Sequence, residues 1–103
     1  MGNPMKIRTK SDGRVTEVKV LMSHVMETGL RKNAQGELVP AQFIQFVTIT
    51  WQDRPVLRAQ WGPAVSANPF LSFKFEGGQK GDKLKVSWAD NKGDTRSDEV
   101  TIN

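Results

Sequence analysis

Alternating apolar and polar positions run through most of this chain. Between Val15 and Met22, the residues Val18, Val20 and Met22 fall on one face of an extended segment. From Phe43 to Trp51 the chain is rich in β-branched and aromatic residues. There the odd positions Phe43, Val47, Ile49 and Trp51 suit a core, while Thr48 and Thr50 face away. The same period of two groups Leu57, Ala59 and Trp61, then Leu71, Phe73 and Phe75, then Leu84, Val86 and Trp88. Val100 and Ile102 close the series, and a weaker first strand is predicted from Lys6 to Thr9. No stretch repeats with a helical period. On this pattern Trp51, Trp61 and Trp88 are large core anchors, with Trp61, Phe73 and Trp88 mostly buried.

Turn residues punctuate these runs. Ser11-Asp12-Gly13 separates the first two strands, and Gln52 to Pro55 makes a tight connection. Gly77-Gly78 and Gly81-Asp82 bracket a third turn, and Asn91-Lys92-Gly93 reads as a hairpin turn that needs positive φ at Asn or Gly. Seven short antiparallel strands with regular turns predict an all-β, immunoglobulin-like sandwich in a single domain over residues 1–103. If every connection reverses direction, three connections share one end: Ser23 to Val39, Gly62 to Pro69 and Asp90 to Asp94. Loops at one end of a rigid sandwich are a favoured place for recognition.

Composition narrows the function classes. There is no cysteine, so disulfides, thiolate metal sites and a cysteine nucleophile on this chain are excluded. His24 is the sole histidine, which excludes a histidine-rich metal site, and no cofactor is expected. No apolar run approaches the roughly 20 residues of a membrane-spanning helix, and no secretory signal opens the chain. The net charge of +4 has two readings. It serves solubility, or it attracts an acidic partner, nucleic acid or small anions. The cations are scattered among acids, without the basic block of a nucleic-acid arm. No G-x-S-x-G elbow, phosphate loop or dinucleotide fingerprint occurs, which argues against independent catalysis.

Two stretches carry distinctive chemistry. His24-Val25-Met26-Glu27-Thr28-Gly29-Leu30-Arg31-Lys32 places a titratable ring, a thioether, a carboxylate and two cations in one loop. Such a loop can recognise an anion or a charged peptide. It can equally be a structured loop in which His24 and Glu27 bond to backbone groups. Trp61-Gly62-Pro63-Ala64-Val65-Ser66-Ala67-Asn68-Pro69-Phe70 is stiffened by two prolines and carries no charge. It fits an interface or a loop packed on its own domain. The candidate contact residues are therefore His24, Met26, Glu27, Thr28, Arg31, Lys32, Val65, Asn68 and Pro69.

The run from Ser23 to Lys32, the segment Pro40-Ala41-Gln42-Phe43-Ile44, the run from Trp61 to Phe73 and the ending from Leu84 to Gly93 together resemble the SoxZ family. The resemblance covers roughly Lys6 to Ile102, and its specificity lies in the order and spacing of short motifs. It implies a non-catalytic subunit of a sulfur-carrier complex. The partner is a SoxY-like chain whose flexible C-terminal arm bears a cysteine, on which sulfur intermediates ride during thiosulfate oxidation. Transient contact with other Sox enzymes, and no nucleic acid or membrane partner, follow from the same resemblance. So does a periplasmic location, reached on the partner's export signal. Arg31 and Lys32 are then the cations that can attract the arm's anionic sulfur group. The rivals are a generic anion or nucleic-acid binding module and a small enzyme centred on His24 and Glu27.

Overall fold

The computed structural model describes residues 2–103. Seven strands form in order: β1 (Lys6–Ser11), β2 (Val15–Leu21), β3 (Ile44–Trp51), β4 (Arg54–Gln60), β5 (Phe70–Glu76), β6 (Lys83–Asp90) and β7 (Thr95–Thr101). They make two antiparallel sheets, β1-β2-β5 and β4-β3-β6-β7, packed as a sandwich. The all-β, immunoglobulin-like expectation holds. The fourth strand sits beside β3, not beside β5.

The inward face of each strand is the apolar set that the period of two selects. Thr16, Val18, Val20 and Met22 face Val47, Ile49, Leu84, Val86 and Trp88 across the sandwich, with Ile44, Phe75 and Ile102 completing the buried set. Each fully buried aliphatic side chain contributes about 1.5–3 kcal/mol relative to exposure. The turns follow their chemistry. Gln52 and Asp53, both at positive φ, connect β3 to β4 in two residues, the backbone signature of a type I′ hairpin. At the β6–β7 hairpin Gly93 supplies the positive φ, and its N–H donates to the Asp90 carbonyl.

Two sequence expectations require correction. The register of β3 against β6 shifts between Ile44 and Phe46, where the ladder is irregular. An extra residue there reverses the parity, so Ile44 is wholly buried while Phe43 is only half-buried and Phe46 faces solvent. Trp61 and Phe73 are likewise half-buried, unlike Trp88. The cause is the shape of the sandwich. On one side β1 and the β7 end are tied together by bonds from Ser11 N–H to the Asn103 carbonyl (2.8 Å) and from Asn103 N–H to Thr9 Oγ1 (3.0 Å). On the other side β4 and β5 share no ladder, and Leu57, Trp61, Leu71 and Phe73 line an incompletely closed seam.

The molecule is long, 54 × 20 × 19 Å, with a radius of gyration of 15.4 Å. A compact domain of this size has about 13 Å. The β2–β3 connection accounts for part of this. Within it, Val39 N–H donates to the Arg31 carbonyl and Asn33 N–H to the Glu37 carbonyl, closing a small hairpin in which every residue from 30 to 38 is exposed.

Candidate functional site

The three connections expected at one end do meet there, and His24 is the residue that joins them. Its backbone N–H donates to Asn68 Oδ1 (3.1 Å), and Asn68 N–H returns a bond to the His24 carbonyl (2.9 Å). Asn68 holds φ +52°, a conformation Asn tolerates better than most residues. Pro69, buried, accepts from Met22 N–H through its carbonyl. The β2–β3 and β4–β5 connections are thereby clipped together.

The imidazole reaches the third connection. Nδ1 accepts the Met26 amide proton (3.0 Å), which leaves the ring proton on Nε2, directed at Asp90 Oδ2 (3.0 Å). The ring meets Trp88 edge-on with centroids 5.0 Å apart. Gln42 Nε2 donates to the same Asp90 oxygen (3.3 Å). The other oxygen, Oδ1, accepts from the N–H groups of Lys92 and Asp94 (2.9 Å each) and so shapes the β6–β7 turn. Burial alone would raise the Asp90 carboxyl. The bonds from His24, from Asp94 N–H, from Gln42 and from Lys92 N–H outweigh it and hold the group below the ordinary carboxylate value.

Around this buried knot the other candidates separate into two groups. Met26 is buried at φ +49°, and its sulfur accepts from Ile44 N–H (3.4 Å). Glu27 pairs through its backbone with Gln42, as donor (2.6 Å) and as acceptor (3.0 Å). Val65 packs half-buried against the core. Those residues, with His24 and Pro69, form the packed end of the domain, and the exposed Asn68 is tied to it through the His24 backbone. Thr28, Arg31 and Lys32 lie outward on the exposed hairpin. Thr28 Oγ1 accepts from Leu30 N–H (3.0 Å). The Arg31 guanidinium grips the Glu27 carboxylate through Nη2 (2.7 Å) and Nε (3.1 Å). That bond raises Arg31 and lowers Glu27, each from its ordinary value. Among the described residues Lys32 has no ion-pair partner within 4 Å, and its backbone pairs with Leu38.

An open depression of about 450 Å³ lies over the knot, lined among others by Ser23, His24, Val25, Gln42, Asn68 and Trp88. Asp90, Gln42 and Trp88 belong to this site without having been read as site residues from the sequence. The turn after Asp90 gave a local signal for its Oδ1 bonds. Its pairing with His24 spans 66 residues and has no local signature. Exposed apolar side chains are concentrated at this end. Leu21, Val25, Leu30, Leu38, Phe46 and Phe70 are the exposed large ones among the described residues, and all come from the strand ends and connections on this side. No group of three or more His, Cys, Asp or Glu side chains among the described residues is placed to hold a metal ion. Among the described residues no helix is long and apolar enough to cross a membrane.

Comparison with known proteins agrees with this architecture. A superoxide reductase in its oxidised state superposes with a TM-score of 0.65 at 18% identity, over 96% of this chain and 86% of that one. A hypothetical protein from Pyrococcus horikoshii OT3 superposes with a TM-score of 0.63 at 16% identity, over 98% and 87%. At such identities the likeness is one of fold alone. No curated protein matches the sequence. Residues 5–101, almost the whole chain, match the family described as "Sulphur oxidation protein SoxZ". The chain therefore belongs to the SoxZ family of sulfur-oxidation subunits.

Proposed function

We propose that this subunit is a non-catalytic partner of a SoxY-like carrier chain, and that the carrier docks on the end of the sandwich built around His24. The carrier's C-terminal cysteine would hold the sulfur intermediates of thiosulfate oxidation, in the periplasm, while this chain presents a rigid platform. Family membership supports the pathway. The observation that carries the docking site is the clustering of Val25, Leu30 and Leu38, all exposed, on the one long connection of the fold. Leu30 is 82% exposed, and it is the grouping of exposed large apolar side chains on one connection that marks an interaction surface. A stable pair would bury on the order of 800 Å² per side.

The rest of the site fits a structural role for His24. Its ring nitrogens are both engaged, one with Met26 N–H and one with Asp90. Arg31 and Lys32 stand outside the knot, where an anionic group on the carrier arm can reach them. Arg31 already shares its charge with Glu27, so Lys32 is the less committed cation.

The test is affinity in the purified pair. Leu30→Asp combined with Leu38→Asp, with thermal unfolding unchanged, should weaken the complex by at least tenfold, since each change buries a charge in the interface. Wild-type affinity in that variant would place the carrier elsewhere. Thiosulfate turnover by the isolated chain, lost in His24→Ala under conditions where that variant is still folded, would instead establish an enzyme.

A further inference from the structure

The outward face of the β1-β2-β5 sheet has a charge pattern that folding does not explain. Register places Lys6, Arg8 and Lys10 of β1, Lys19 of β2 and Lys74 of β5 on this one face, with Glu17 and Glu76 the only carboxylates of these strands. Five cations against two carboxylates leave a surplus of three, where the whole chain has a surplus of four. Glu17 is shared between Lys19 (3.6 Å) and Lys74 (3.9 Å). Among the described residues Lys6, Arg8 and Lys10 make no ion pair within 4 Å. Arg8 stands directly opposite Lys19 in the ladder. Like charges directly opposite cost stability, so this face is not arranged for the sheet's own benefit.

The same face carries an apolar anchor. Leu21 and Phe70 are cross-strand partners at the end nearest the connections, 39% and 62% exposed, with Lys6 opposite Leu21 on its other side. The outward face of the opposite sheet also carries cations, Arg58, Lys83 and Lys85 against Glu99, and an exposed Phe46. There, however, Lys85 faces Glu99, Lys83 faces Thr101 and Arg58 faces Thr48 in the register, so no two like charges stand opposite one another.

We infer that the outer face of the β1-β2-β5 sheet is a second docking surface, one that takes an acidic protein partner whose carboxylates ring an apolar pocket for Phe70. A uniform polyanion such as nucleic acid fits less well, because Glu17 sits among the cations and would repel a phosphate there. A partner protein can interleave its own charges to match. Seven residues of β2 span roughly 23 Å and three strands roughly 14 Å, a flat footprint of about 300–350 Å². A contact carried mainly by exposed charges is electrostatically steered and weakens with salt. The inference does not rest on the carrier docking end-on.

The experiment uses the full chain in a soluble extract of its host cells, treated with a carbodiimide that joins an amine only to a carboxylate in direct contact. Peptides containing Lys6, Lys10, Lys19 and Lys74 should be joined to Asp or Glu of another protein several-fold more often than those containing Lys83 and Lys85 on the opposite sheet. The yield should fall roughly tenfold between about 0.05 and about 0.5 M salt. It should vanish in the Arg8→Glu/Lys19→Glu variant and drop in Phe70→Ser, both checked for unchanged unfolding midpoints. The Leu30→Asp/Leu38→Asp variant should leave these links intact. Equal yields on the two sheets, or persistence after charge reversal, would overturn the inference. So would loss in the Leu30/Leu38 variant, which would mean that the face has no partner of its own. Tight binding of a short random DNA duplex without protein cross-links would reassign the face to nucleic acid.

Discussion

His24 Nε2 lies 3.0 Å from Asp90 Oδ2, with the two side chains 4% and 0% exposed. A carboxylate so enclosed depends on its donors, and the imidazole, one of its two side-chain donors beside Gln42, is held in place by the Met26 N–H that donates to Nδ1. Removing it leaves the buried Asp90 Oδ2 with Gln42 as its only side-chain donor and takes away the ring that packs on Trp88. His24→Ala is therefore expected to cost about 2–4 kcal/mol, a lost hydrogen bond to a carboxylate together with the cavity left by the ring. Urea unfolding monitored by tryptophan fluorescence reads this directly. The double variant His24→Ala/Asp90→Ala should be less unstable than the sum of the single changes, because no carboxylate short of a donor remains. An unchanged midpoint in His24→Ala would show that the pair contributes nothing to the fold.

The same geometry sets the response to acid. Burial pushes the Asp90 carboxyl up, but His24 and the other donors hold it below its ordinary value of 3.8. Asp98 is also lowered, first by its bond to Arg96 and further by Met5 N–H, against the effect of burial. A carboxyl whose value is lower folded than unfolded stabilises fully above the unfolded value. That contribution is lost as pH falls through the folded one. Stability should thus decline as pH drops below about 4. Asp90→Asn should flatten that decline while lowering stability at neutral pH. Denaturant midpoints measured between neutral pH and strong acid check both slopes, and an identical acid limb in Asp90→Asn would discount Asp90.

The strands were legible in the sequence because each carries its own short-range signal. Val18-Val20-Met22 and Leu84-Val86-Trp88 alternate without interruption, and both sets are buried as read. The shared end was legible too, since antiparallel reversal fixes which connections lie together. What escaped depends on long-range geometry. The irregularity between Ile44 and Phe46 moves the core position from Phe43 to Ile44, and no residue type in Phe43-Ile44-Gln45-Phe46 announces it. Trp61 and Phe73 alternate correctly yet sit at the seam between β4 and β5, so their facing inward does not bury them fully. Arg31 reads as a free cation until its fork is seen on Glu27.

That seam gives a graded expectation for the tryptophans. Trp88 is 2% exposed and packs on His24, so Trp88→Ala should cost about 3–5 kcal/mol. Trp61 lines the seam and is already partly wet, so Trp61→Ala should cost distinctly less. Unfolding midpoints of the two variants under one condition make the comparison. Equal costs would mean that the seam is closed in solution.

Gly78 offers the sharpest local test, because two constraints meet there. Its φ is +84°, and a Cβ at this position would run into Thr16 Oγ1. Thr16 is fully buried and cannot swing aside without giving up its bond to the Gly77 carbonyl (2.7 Å). Gly81, in the same connection, has a similar φ of +97° but open space where a Cβ would go. Both changes to alanine bear the left-handed backbone cost of about 1–2 kcal/mol. Only Gly78→Ala adds overpacking, about 1–3 kcal/mol more. The difference between the two variants isolates the steric part. Adding Thr16→Ala to Gly78→Ala removes the obstructing hydroxyl and should recover some of that difference, less the lost hydrogen bond. If Gly78→Ala and Gly81→Ala unfold at the same denaturant concentration, the close packing of the β5–β6 connection against β2 is wrong.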